Sequence, residues 1–186
     1  MNKRDSIIKA ALKLFVENGF HGTATSKIAQ EAGVANGTLF QYFKTKEELI
    51  VTLYTNFKEE LALYVANNTA VDANIKDTIK TNILASLYWA LDNRDKFRFL
   101  QQFHTSPYHG QLELETLRKY EEPHLQLIQQ GINEGAIKQL PVDLLYALML
   151  NQVFGLYQFM TSKELSKTEQ SEVVETTFEM LWGMIT

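Results

Sequence analysis

The chain has 186 residues, 45% of them hydrophobic and 22% charged, with a formal net charge of -4 and no cysteine. These values suit a folded chain with room for a sizeable core, and they exclude a disulfide framework and a thiolate metal site. No window approaches ~18 consecutive apolar residues, and Met1 to Ser6 lead into an amphipathic pattern, so the sequence predicts no membrane span, no signal peptide and a cytoplasmic location.

The charge is unevenly spread. The first fifty residues carry seven Lys+Arg against five Asp+Glu, and the remainder is acidic. That asymmetry fits a small polyanion-binding head on a body that repels polyanions. Two or three side chains would erase it, so chance distribution stays open.

Most of the chain reads at helical period. A first helix is expected from Arg4 to Asn18, with Ile7, Ile8, Ala11, Leu14 and Phe15 on one stripe. Gly19 should stop it as a left-handed cap, with Phe20 folding back as an anchor. A short helix fits Thr25 to Ala32, with Thr23 or Thr25 as N-cap and Ile28 and Ala29 inward. Gly33 breaks it, and a third helix fits Asn36 to Phe43. Thr45 to Glu48 read as a capping box opening a long fourth helix, which Asn67-Asn68-Thr69 ends.

The body should supply about five more helices. One is expected from Asp72 to Arg94 and a continuation from Asp95 to His104. Ser106 to Gly110 form a break, and another helix follows from Gln111 to about Glu121. Pro123 is expected to open a further helix at its first turn, ending near Asn133 to Gly135. Pro141 opens an apolar helix from Val142 to Met160. Ser166 to Glu169 form a second capping box before the last helix. The fold class is all-α, about nine helices.

Two short helices joined by a glycine turn and resting on an amphipathic first helix describe a helix-turn-helix. The second short helix of such a unit enters the major groove, so it needs small residues where the backbone comes close. Ala35, Asn36, Gly37 and Thr38 are small. Hydroxyls and cations at the ends hold phosphates, and Thr25, Tyr42, Lys44 and Lys46 supply them. Leu39 and Phe43 are spaced to face a small core with Phe15, Ile28 and Ala29. An ordinary helical hairpin corner is the alternative reading of the same pattern.

The residues "IIKAALKLFVENGF", "IAQEAGVANGTLFQYF" and "KTKEEL" go further. The stretch from Ile7 to Leu49 closely resembles the N-terminal domain of the tetracycline-repressor (TetR) family, over about a quarter of the chain. Ala35 stands where a serine is common and Phe40 where a tyrosine is common, each losing a hydroxyl that could reach a phosphate. By position, the resemblance implies that Thr25, Tyr42 and Lys46 hold phosphates and that Asn36, Gly37, Thr38 and Gln41 lie nearest the bases. Asn and Gln side chains suit adenine edges. The expected division is a DNA-binding domain over residues 1–47 and an effector-binding and dimerisation domain over 48–186.

One short recognition helix buries little surface, so specific binding calls for a symmetric dimer on two half-sites. The resemblance implies a homodimer built from the last two helices of each chain. Val153, Leu156, Phe159 and Met160 on one, and Val174, Phe178, Leu181 and Trp182 on the other, are the candidates. Filling the chain's own core is the alternative for each. The resemblance also implies a small-molecule pocket in the body. Tyr88, Trp89, Phe99, Phe103, His104, Tyr108, Gln152 and Tyr157 are its candidate lining, for a moderately apolar effector; here too, ordinary core packing is the alternative. Effector binding would shift the fourth helix and spread the recognition helices, releasing a palindromic DNA operator.

The expected function is a ligand-responsive repressor. A helix-turn-helix protein controlled by a protein partner is the alternative. An enzyme is the rival from another class, resting on His104, His109 and His124. Their spacing matches no common metal pattern, and no catalytic motif is present. No catalytic residue, metal or cofactor is expected.

Overall fold

The structure, a computed structural model, describes residues 2–69 and 74–186. Nine α-helices occur among them: α1 (Lys3–Gly22), α2 (Thr25–Glu31), α3 (Asn36–Tyr42), α4 (Lys46–Asn68), α5 (Ile75–Asp92), α6 (Arg94–His104), α7 (Leu114–Asn133), α8 (Val142–Thr161) and α9 (Lys167–Ile185), with a short 3-10 turn at His109–Gln111. No strand occurs among the described residues. The expected start of the fifth helix at Asp72 lies outside them. The chain divides into two compact units: residues up to Glu60 with Asn93–Glu113, and Leu61–Asp92 with Leu114–Thr186.

In the first unit, α1 packs on α2, α3 and α6. The centre of the expected α1 stripe is buried, with Ile7, Ala11 and Phe15 fully enclosed. Burial of a side chain the size of Phe15 contributes about 1.5–3 kcal/mol. The α1 helix does not stop at Gly19. That residue takes φ 72, ψ 168, a conformation nearly confined to glycine but extended rather than left-handed helical, and the chain resumes helical turns to Gly22. The expected cap is therefore a kink. It turns Phe20 inward, where its ring meets Phe15 at 5.3 Å, Phe99 at 5.2 Å and Tyr108 at 5.6 Å, each nearly edge to face. Phe103 in turn stacks on Tyr54 at 4.1 Å.

Neither threonine expected to cap α2 does so. The N-cap is Ala24, without a side-chain bond. Thr23 is instead buried, and its hydroxyl proton is shared by the carbonyls of Leu14 at 3.0 Å and Gly19 at 2.8 Å. A carbonyl exposed by the kink is a stronger draw than the amides of a helix start that water can reach.

The second unit packs α5, α7 and α8 against one another, with α9 on α5 and α8. Its core includes Ile79, Ile83, Leu87 and Trp89 on α5, Ile128 on α7, Leu145 and Leu156 on α8, and Phe178 on α9. Helix α9 begins with the complete capping box expected there: Glu169 N–H donates to Ser166 Oγ, and Ser166 N–H to the Glu169 carboxylate at 2.8 Å. The Ser166 hydroxyl, which donates to the same carboxylate at 2.7 Å, and then the Ser166 N–H hold the Glu169 carboxyl below its usual range. Lys76 and Lys80 on α5 pair with Glu179 and Glu175 on α9, each at 2.7 Å.

Pro123 does not open a helix. It lies inside α7, which runs unbroken past it. The residue is exposed while Tyr120 and Ile128 are buried on either side of it. The apolar stripe of α7 outweighs the ~3 kcal/mol cost of an interior proline, whose lost bond falls on the solvent side. Helix α7 ends at Asn133 and is closed by Gly135 (φ 72), with Ala136 N–H donating to Gly131 O and Gly135 N–H to Ile132 O.

Candidate nucleic-acid interface

Helices α2 and α3 are joined by a turn that the backbone closes by itself. Val34 N–H donates to Ala29 O at 3.0 Å and Gly33 N–H to Gln30 O at 3.1 Å, the paired bonds of a helix end that needs a left-handed residue. Gly33 provides it with φ 67. The turn sets α3 on α1 and α2. Only Leu39 of α3, and Phe43 just after it, are buried. Ile28 and Ala29 are buried on α2, as the pattern requires.

The rest of α3 is exposed or partly so. Asn36, Gly37 and Gln41 are exposed and Thr38 partly so. A Cβ at Gly37 would meet nothing within 4 Å, so its value is the close approach it leaves open. Phe40 and Tyr42 are large side chains left substantially exposed. Thr25, in the first turn of α2, is partly exposed. Lys44 is exposed and Lys46 partly so, at the start of α4.

The cap of α4 fixes the segment that carries those lysines. Glu48 N–H donates to Thr45 Oγ1 at 3.0 Å, as expected of the box. The Glu48 carboxylate, however, accepts from Lys44 N–H at 2.7 Å rather than from Thr45. The reach is one residue longer than a standard box, and it pins the loop from α3 to α4. Two cations went unremarked in the sequence reading. Lys27 is exposed on α2. Arg4, near the start of α1, lies over the Phe43 ring at 5.4 Å. Proximity in sequence to Thr25 marked the first; nothing in the spacing marked the second.

The eight candidate effector residues separate. Phe99, Phe103, His104 and Tyr108 belong to the first unit, and Tyr88, Trp89, Gln152 and Tyr157 to the second. Phe99 and Phe103 are fully buried in the aromatic cluster around Phe20. His104 is exposed, with its ring 4.9 Å from that of His109. Its pKa is lowered by partial desolvation, then by His109 and Lys58. Tyr108 is pushed up by desolvation and by Glu47. In the second unit Trp89 and Tyr157 are buried and Tyr88 is exposed. The Gln152 amide is enclosed, with neither atom hydrogen-bonded.

Of the eight candidate dimer residues, Val153, Leu156, Met160, Val174, Phe178 and Leu181 are buried within one chain, and Trp182 is partly so. Phe159 is 43% exposed. Alongside it, α8 exposes Leu144, Ala147, Asn151 and Gly155, and α9 exposes Thr176, Met180 and Met184. Met180 is 70% and Met184 52% accessible, so both helices carry an apolar stripe on the side away from their own core.

Among the described residues no group of three or more His, Asp or Glu is placed to hold a metal ion, and no helix is long and apolar enough to cross a membrane. His104 and His109 lie in the first unit and His124 in the second, where it stacks on Tyr146.

Comparison with known proteins agrees with this geometry. Residues 7–53 match the model for bacterial regulatory proteins of the tetR family. Residues 76–186 match the tetracyclin repressor-like C-terminal domain. The chain is 32% identical over 145 residues to the fatty acid metabolism regulator protein of Bacillus subtilis, covering 72% of this chain and 70% of that one. A tetR family transcription regulator from Shewanella sp. PV-4 superposes with a TM-score of 0.90 at 29% identity, over 100% of this chain and 98% of the other. The fatty acid degradation regulator FadR from Bacillus halodurans shares the fold, with a TM-score of 0.77 at 22% identity over 98% and 96% of the two chains.

Proposed function

Because this chain belongs to the TetR family of helix-turn-helix, DNA-binding transcription regulators, which are not enzymes, we propose that it is a repressor released from a palindromic operator by a small, moderately apolar effector. It works in the cytoplasm as a homodimer. Residues 1–47 bind DNA and residues 48–186 bind the effector and the second chain.

The observation that carries this reading is the exposed side of α3. A seven-residue helix buries one side chain of its own and presents Asn36, Gly37, Thr38 and Gln41 outward, flanked by Tyr42, Lys44 and Lys46. Gly37 lets the backbone approach the groove floor, Asn36 and Gln41 offer paired donor and acceptor to base edges, and Thr25, Tyr42, Lys44 and Lys46 hold phosphates. Two copies of α3 set about 34–36 Å apart would read two half-sites on one face of the duplex.

The second copy is supported by the apolar stripes of α8 and α9. Four such helices, two from each chain, would cover Phe159, Met180 and Met184, which water now meets. Effector binding is supported by the enclosed Gln152 amide among the aromatic and aliphatic residues of the second unit. The naming of the Bacillus subtilis relative for fatty acid metabolism fits an effector with an acyl chain.

The test is release. Duplexes from the region upstream of the protein's own gene are titrated with protein, and a panel of acyl compounds and other apolar small molecules is added to the complex. One class should lower DNA affinity at least tenfold without unfolding the protein. Failure of every class, with a body that shows no ligand-induced rise in Tm, would favour control by a protein partner instead.

A further inference from the structure

Gln152 occupies a place where its chemistry is out of keeping with its neighbours. Along α8, Leu145, Met149, Gln152 and Leu156 follow one another at helical spacing, and the three apolar members are buried. This side of the helix lies toward the interior of the second unit, where α8 packs on α5 and α7. Both the amide nitrogen and the amide oxygen of Gln152 are closed off from solvent, and neither has a hydrogen-bond partner. A buried donor or acceptor left unmade is costly, and a primary amide holds two donors and an acceptor. Leucine or methionine would fill the same stripe without that cost. A side chain that weakens the apo fold in this way is explained by a partner that arrives later.

The surroundings restrict what that partner is. Among the described residues of the second unit no Lys, Arg or His is buried, so no buried cation waits there. Lys76 and Lys80, partly shielded on α5, are already held by Glu179 and Glu175. A carboxylate or phosphate brought to Gln152 would be desolvated with no counter-charge. A neutral group that offers a carbonyl oxygen beside an N–H or O–H donor would complete both halves of the amide.

We propose that Gln152 is the polar anchor of the effector site and that it selects an uncharged amide-like group over a carboxylate. The proposal rests on the effector-binding reading of the body. The side-chain amide faces an amide group of the ligand, donor to acceptor in both directions, while α5, α7 and α8 enclose its apolar remainder.

Two variants of the full chain test this, Gln152→Leu and Gln152→Met, with decanamide and decanoate as probes at pH 8. Without ligand, the variants should melt higher than wild type, by about 2–8 °C for removal of an unsatisfied amide from a chain of this size. Wild type should bind decanamide at least tenfold more tightly than decanoate by calorimetry, and both variants should lose that preference. A variant Tm equal to or below that of wild type would mean the amide is already satisfied, by water or by the chain, and would overturn the proposal. Equal binding of the two probes to wild type, or no binding of either, would overturn it as well. Circular dichroism and DNA binding by the two variants show that each has folded. If decanamide binds through Gln152 but leaves DNA affinity unchanged, the anchor stands and the effector reading fails.

Discussion

The Thr23 hydroxyl lies 2.8 Å from the carbonyl oxygen of Gly19, closing the kink that carries α1 into its last turn. The same hydroxyl lies 3.0 Å from Leu14 O. One buried side chain thus serves two carbonyls, of which Leu14 O also accepts from the Asn18 side chain at 3.1 Å.

Gly19→Ala should destabilise the protein by about 1–3 kcal/mol, because a residue with a Cβ is strained at φ 72, ψ 168. Crowding plays no part, since an added Cβ would meet nothing within 4 Å. Thr23→Val should cost about 1–3 kcal/mol by leaving a carbonyl unmet. Urea denaturation followed by circular dichroism measures both. A Gly19→Ala variant as stable as wild type would contradict the account of the kink.

Lys46→Ala should weaken binding to specific and unrelated duplexes alike. A dimer loses two phosphate contacts, so the slope of log affinity against log salt should fall by roughly two. Asn36→Ala should behave differently. It should relax the preference at one base pair in each half-site, at about 1–3 kcal/mol per contact, and leave the salt slope unchanged. Fluorescence anisotropy across a salt series separates the two. Equal effects on slope and sequence preference would undo the assignment of roles.

Met180→Glu and Phe159→Glu should dissociate the dimer while the chain stays folded, since both side chains are exposed in one chain. A loss of roughly thirtyfold or more in dimer affinity, about 2 kcal/mol, is expected for an anchor at the centre of such a face. Val174→Glu, placed in the core, should unfold the chain instead. Sedimentation velocity reads the first pair and thermal melting the last. Intact dimers in both exposed variants would move the interface elsewhere.

Acid should weaken the fold through His104. Its folded pKa is lowered from 6.5 by desolvation, then His109, then Lys58. The unfolded ring therefore takes up a proton more readily than the folded one. The stability associated with the neutral ring is complete above about 6.5 and declines as the pH falls through the lower folded value. Urea midpoints between pH 5 and 7.5 should slope downward toward acid in wild type and less so in His104→Gln. Parallel slopes would contradict the effect.

Much of this was legible in the sequence where short-range rules act. Gly33 and the Ser166 to Glu169 box behave as read, because each is decided within a few residues of chain. Pro123 was misread because a local breaker is overruled by the long apolar stripe of α7, a tertiary effect. Thr23 escapes the local rule because the kink at Gly19 folds the chain back, so that its hydroxyl reaches the carbonyls of Gly19 and Leu14 rather than the amides of α2. On α8 and α9 both sides are apolar, so spacing could not tell Val153, which is buried, from Phe159, which is not. Gln152 could be picked out as polar on an apolar helix, but its missing partners become visible only once the neighbouring helices are in place.

The most direct test of the central claim is selection from a random duplex library at two salt concentrations, with wild type and Gln41→Ala side by side. Wild type should enrich an inverted repeat whose half-site centres lie about one or more helical turns apart, with affinity falling steeply as salt rises. Gln41→Ala should enrich the same repeat with one position per half-site relaxed. Enrichment of no repeat by refolded, ligand-free protein would contradict the claim that this chain is a dimeric reader of DNA through α3.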